Sequence, residues 1–125
     1  MAEIGRYPES PPFRYVLEAG DLTVGGIYSK DYENTDCPEK KYAPFNLMTI
    51  TNFSMQKLTV YIGDHIVKSV PPSAVVTLEV DAIWRWRIEN NDTADNSDLI
   101  EIIVEKKLTE REILKLIAKK MGVIA

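Results

Sequence analysis

Histidine and cysteine are almost absent from this chain, which holds one of each, His65 and Cys37, in 125 residues. A single cysteine excludes an internal disulfide framework. One Cys and one His cannot supply the four ligands of a structural zinc site. They also make a poor nucleophile and base, since Cys37 precedes Pro38 in a polar loop and His65 opens a strand after a turn. Nothing in the sequence brings the two together. Long apolar runs are missing too, none approaching the roughly 18 residues of a spanning helix. The N-terminal MAEIGRYPESPPF has no basic start and no apolar stretch, so no secretory signal is expected and the sequons at Asn52 and Asn91 read as coincidence. There is no P-loop and no Rossmann glycine pattern. With 15 basic against 19 acidic side chains and a net charge of −4, no nucleic-acid partner is expected.

What is present is ordinary for one globular domain: 45% hydrophobic and 27% charged residues. Charge is unevenly spread. Residues 1–36 hold three basic and seven acidic side chains (−4), residues 37–105 hold six and ten (−4), and residues 106–125 hold six and two (+4). An acidic front and a basic tail attract each other, within one chain or between copies.

Periodicity predicts a mainly β fold, an antiparallel β-sandwich of jelly-roll or Ig-like type, with an extended N-terminal arm and one C-terminal amphipathic helix. The arm is residues 1–12, rich in proline (Pro8, Pro11, Pro12). It is expected to be ordered only by contact with another element, most naturally a second subunit. The sandwich spans 13–106. FRYVLEA reads as a strand, and LTV before Gly25-Gly26 as another. Residues 28–46 show no clear period and read as a long loop. LMTITN, KLTVYI, HIVKSV, AVVTLEV and LIEIIVEK follow as strands, punctuated by Gly63-Asp64, Pro71-Pro72-Ser73 and the polar loop from Asn90 to Asp98. No segment between them is long enough for a crossover helix.

The stretch AIWRWRIENND poses the sharpest question. Alternation puts Trp84, Trp86 and Ile88 on one face and Arg85 and Arg87 on the other. The expectation is that the indoles pack inward and the arginines face out, toward Glu79 or Glu101. The alternative is a carbohydrate-binding module that uses Trp84 and Trp86 as a sugar platform. Asp92, Asp95 and Asp98 lack the spacing and glycine of a calcium loop. No pair of carboxylates is singled out for glycoside hydrolysis. No catalytic residue, cofactor or metal site is predicted.

Residues 107–125 form the helix and tail. Thr109 and Glu112 stand as a capping box, with Leu108 and Ile113 as a hydrophobic staple and Gly122 as a stop. Ile113, Leu114, Ile117, Ala118 and Met121 make an apolar stripe, and Arg111, Lys115 and Lys119 a basic one. The predicted partner-binding residues are Arg111, Ile113, Leu114, Lys115, Ile117, Lys119 and Met121. The helix docks either on its own sandwich or on a neighbour. Too short to be stable alone, it needs one of them.

Read together, ITNFSMQKLTVYIGDHIV, VPPSAVVTLEV, WRWRIENND and LIEIIVE resemble small β-sandwich domains in structural proteins of tailed phages and archaeal viruses. The likeness covers about residues 47–106 and lies in cadence, not in a motif. It implies a non-enzymatic virion component (capsid, decoration or tail-associated) that acts through multivalent protein contacts. Its partners would be copies of itself or another particle protein. Its location would be the virion or the host cytoplasm, with no membrane span.

Overall fold

The computed structural model describes residues 9–108. Within them lie eight strands: β1 Phe13–Leu17, β2 Ile27–Asp31, β3 Phe45–Asn52, β4 Leu58–Ile62, β5 Ile66–Val70, β6 Ala74–Ile83, β7 Arg85–Asn90 and β8 Ile100–Glu105. They form two antiparallel four-stranded sheets, ordered β1-β8-β3-β6 and β2-β7-β4-β5. This is the strand order of a jelly roll. Every connection except the β4–β5 hairpin carries the chain from one sheet to the other. Alternating sheets in this way brings strands far apart in sequence side by side, as in the pairing of Phe13 with Val104.

The predicted alternation fixes the core. Met48 and Ile50 of β3, Leu58, Val60 and Ile62 of β4, Trp86 and Ile88 of β7, and Ile100, Ile102 and Val104 of β8 are buried between the sheets. In β6 the expected face, Val76, Leu78 and Val80, does turn inward, but these side chains are only half-buried. The β4–β5 hairpin turns at Gly63, whose φ of 59° is one that a side chain would resist. The Pro71-Pro72-Ser73 step carries the chain between sheets.

Three expectations need correction. Residues 28–46 are not simply a loop. They contain most of β2, a short 3-10 turn at Pro38–Tyr42 and the start of β3. The inward residues of β2, Tyr28 and Lys30, do not match a simple apolar period, so the strand was hidden. LTV is not a strand, because Leu22 is held by side-chain amides instead of a ladder. Trp84 does not share the face of Trp86. The β3–β6 register shifts between Phe45 and Leu47, where β6 carries extra residues, and Ile83 turns inward. Trp84 then occupies the corner between sheets, outside the period of either strand.

The described part of the arm is tied to its own chain. The Ser10 amide donates to the Lys106 carbonyl (2.9 Å), and the Lys106 amide donates to Ser10 Oγ (2.8 Å). Asn46 likewise exchanges two hydrogen bonds with the Lys107 backbone. The helix predicted over 109–121 lies outside the described residues. No helix among those described is long and apolar enough to cross a membrane.

Candidate functional site

The sandwich has two long sides, and they differ. Along the β1–β2 side the gap between sheets is filled by aromatic rings. Trp86 of β7 packs against Tyr15 of β1 and Tyr28 of β2, with ring centroids 5.6 and 5.8 Å apart. Tyr32 meets Phe45 edge-on at 4.9 Å. The Lys30 ammonium lies over the Tyr15 and Tyr28 rings, 5.2 and 5.7 Å from their centroids.

The polar tips of Trp86, Tyr32 and Tyr15 form one chain of hydrogen bonds. Trp86 Nε1 donates to the Tyr32 hydroxyl (3.0 Å), and the Tyr15 hydroxyl donates to Glu39 Oε2 (2.7 Å). The Tyr15–Tyr32 contact of 2.9 Å must then have Tyr32 as donor, because the Tyr15 proton is committed to the carboxylate. Burial pushes the Tyr32 hydroxyl up to about 12. Burial, with the bonds to Tyr32 and Glu39, pushes Tyr15 far above the ordinary tyrosine range. Burial opposes ionisation of Glu39, but the bonds from Tyr15 and from its own amide, with Lys30 nearby, hold its carboxyl below its ordinary value. All these groups satisfy one another, so the cluster acts as a polar clasp closing the side.

Trp86 is 2% exposed and Trp84 38%. One indole of the pair is therefore core, and the two form no flat platform for a sugar. Arg85 and Arg87 do face outward, yet not toward Glu79 or Glu101. Arg85 binds Asp64 (2.7 Å) and lies 3.9 Å from Glu33. Arg87 binds Glu89 (2.8 Å) and stacks 4.0 Å above the Tyr61 ring. Glu101 is instead the partner of Arg14. Arg85, Arg87 and Tyr61 border a groove of about 170 Å³ that also touches Ser29 and Asp31. That is smaller than the roughly 300 Å³ at which small-molecule sites begin. Its arginines are already neutralised in solvent, where such pairs contribute little.

One end of the sandwich is stitched by asparagines. Asn52 Nδ2 donates to the Gln56 and Pro71 carbonyls, and Asn90 Nδ2 to those of Leu22 and Ala94. Asn96 accepts from the Leu22 amide and donates to the Glu18 and Asp98 carbonyls. The loop aspartates do similar work: Asp92 accepts from the Lys57 and Thr93 amides, Asp95 from Val24, and Asp98 from Leu99. Their oxygens serve separate amides. Among the described residues no group of three or more His, Cys, Asp or Glu has the geometry to hold a metal ion. His65 sits exposed in the β4–β5 turn.

The β5–β6 side is the candidate site. Both strands are sheet edges, each with one neighbour among the described residues. Among the described residues no ring cluster fills the gap between them. Val76, Leu78 and Val80 line the inner face of β6, half-covered. Val75 on its outer face is 63% exposed, and Ile66 and Val67 of β5 are exposed as well. An apolar edge whose backbone groups have no ladder partner among the described residues is a surface suited to accept another strand or an apolar face. The residues predicted to bind partners, Arg111, Ile113, Leu114, Lys115, Ile117, Lys119 and Met121, lie outside the described residues. The seam itself went unpredicted, since nothing in the sequence marks β5 and β6 as edges.

No family model matches the chain, and no curated protein matches it. It is similar to a solved structure from Klebsiella pneumoniae subsp. pneumoniae, an uncharacterized conserved protein with a double-stranded beta-helix domain, at 17% identity, 82% coverage of each chain and a TM-score of 0.43.

Proposed function

We propose that this protein is a non-enzymatic structural subunit that works through contacts with other protein chains, in the manner of a capsid, decoration or tail-associated virion component. The observation that carries the reading is the β5–β6 seam, where two edge strands leave apolar side chains and backbone groups uncovered among the described residues. Two further features support it. The space between the sheets is packed with aliphatic and aromatic side chains. The tyrosine–carboxylate cluster is internally satisfied, and among the described residues no buried side-chain polar atom lacks a partner. Such sites hold a fold together, and neither offers a reacting group to a substrate. Jelly rolls serve capsid proteins, lectins and cupins alike, so the strand order by itself carries no function.

The test is the size of the species that holds the chain in the cells that make it. Native sedimentation of an untreated extract should find it in a particle far larger than its own 14.2 kDa. Recovery of the chain solely as a free monomer or dimer overturns the reading.

A further inference from the structure

We infer that a second copy of this chain docks on β6, edge to edge and antiparallel, about a two-fold axis at Thr77. The inference rests on the assembly reading above and names the first partner of the seam. Each sheet ends in two edge strands, giving β1, β2, β5 and β6. Edges are normally blunted by charge, proline or cover. β1 carries Arg14, β2 carries Lys30, and residues 32–42 add their rings and carboxylate to that side. β5 carries Lys68 at an inward position, and self-pairing centred there would set two lysines face to face. β6 from Ala74 to Val80 has no lysine, arginine or proline.

β6 is also self-complementary. An antiparallel two-fold at Thr77 pairs residues whose numbers sum to 154. Inside, Val76 meets Leu78 and Ala74 meets Val80, so both half-covered apolar rows become continuous across the axis. Outside, Thr77 meets Thr77 and Val75 meets Glu79. No like charges stand directly opposite, and each pair is of a favourable or neutral kind. A two-fold contact of this type closes on itself. Seven residues span about 23 Å, and two sheets about 10 Å apart with their outward side chains make a face about 20 Å deep. That buries about 900 Å² in total, just under the roughly 1,000 Å² of a stable interface, and so implies a reversible dimer. The bulge after Val80 limits the pairing at that end.

Analytical ultracentrifugation of the full chain, from micromolar to millimolar concentration, reads the result. Wild type should dimerise reversibly. Thr77→Lys and Thr77→Glu, at an exposed outward position, should each weaken the dimer about tenfold or more with unchanged melting temperature, because each sets like charges across the axis. An equimolar mixture of the two variants should dimerise again. That rescue requires the two copies of residue 77 to face each other, and a general structural defect would not produce it. A wild-type chain that stays monomeric, or a dimer indifferent to both variants, overturns the pairing. So does a dimer lost only when residues 109–125 are removed, which would make that segment the occupant. Each of these results can coexist with a large particle in the native extract, so the assembly reading stands or falls separately.

Discussion

The two long sides of the sandwich solve the same problem in opposite ways. Both are places where two sheets end and their inner faces meet solvent. On the β1–β2 side, Tyr15, Tyr28, Tyr32 and Trp86 bridge the sheets, and the polar groups of Trp86, Tyr32 and Tyr15 form a chain that ends on Glu39. On the β5–β6 side, small aliphatic residues line the gap and stay half-buried among the described residues. Ring size decides the difference. A tyrosine or tryptophan spans the space between sheets and still brings a polar tip to satisfy, while valine and leucine cannot reach. The closed side should therefore govern stability and the open side association.

The largest effect should come from Trp86→Ala, which removes a buried ring from between Tyr15 and Tyr28 and strips Tyr32 of a donor. A loss of about 3–5 kcal/mol is expected in chemical denaturation. A loss below about 1 kcal/mol would mean that the closed side is not what holds the sheets. Tyr15→Phe comes next. It takes away the acceptor of the Tyr32 hydroxyl and the tyrosine donor to Glu39, at a cost of about 1–3 kcal/mol.

The same clasp should be visible in pH titrations. The Glu39 carboxyl is held below its ordinary value in the fold, so its contribution is present above the unfolded carboxylate range and lost as pH falls through the folded value. Glu39→Gln should flatten the acid limb of the stability curve. Tyr32 runs the other way. Its folded value is raised from 10.0 to about 12, so the stability it contributes is intact below pH 10 and disappears as pH rises toward 12. Tyr32→Phe should lessen that alkaline decline, with Tyr15 supplying the remainder. A variant with an unaltered alkaline limb would show that the tyrosine clasp does not set it.

On the open side, Val75→Ser should change stability by less than about 0.5 kcal/mol, since the side chain is mostly in solvent. Trp84→Ala, at a side chain 38% exposed, should cost clearly less than Trp86→Ala, and that contrast tests the corner directly. Comparable losses for the two tryptophans would restore the shared face that simple alternation suggests.

Much of the sandwich was legible because β-strands obey a period of two. Leu58, Val60 and Ile62 alternate with Thr59 and Tyr61, and the structure buries the first set. The same rule failed at Trp84, where it counted through a corner as though the strand continued. It was silent at β2, where Tyr28 and Lys30 face inward because their rings and ammonium stack on Tyr15 and Trp86. A period read from hydrophobicity does not anticipate an inward lysine held by aromatic faces. Of the clasp, Trp86 could be guessed as core. Tyr15, Tyr32 and Glu39 carried no signal, since they lie 17 and 24 residues apart along the chain and meet only through the crossing connections.

By itself the sequence determined that this is a β protein with an aliphatic inner face, and that Trp86 belongs to its core and Arg85 and Arg87 to its surface. Those are local properties, set by which side of a pleated strand each residue occupies. Strand order belongs to the tertiary structure alone. Nothing in AVVTLEV distinguishes β6 at an edge from β3 at a centre, because the backbone groups of every strand are alike. They become free or paired only when a neighbour is or is not laid beside them.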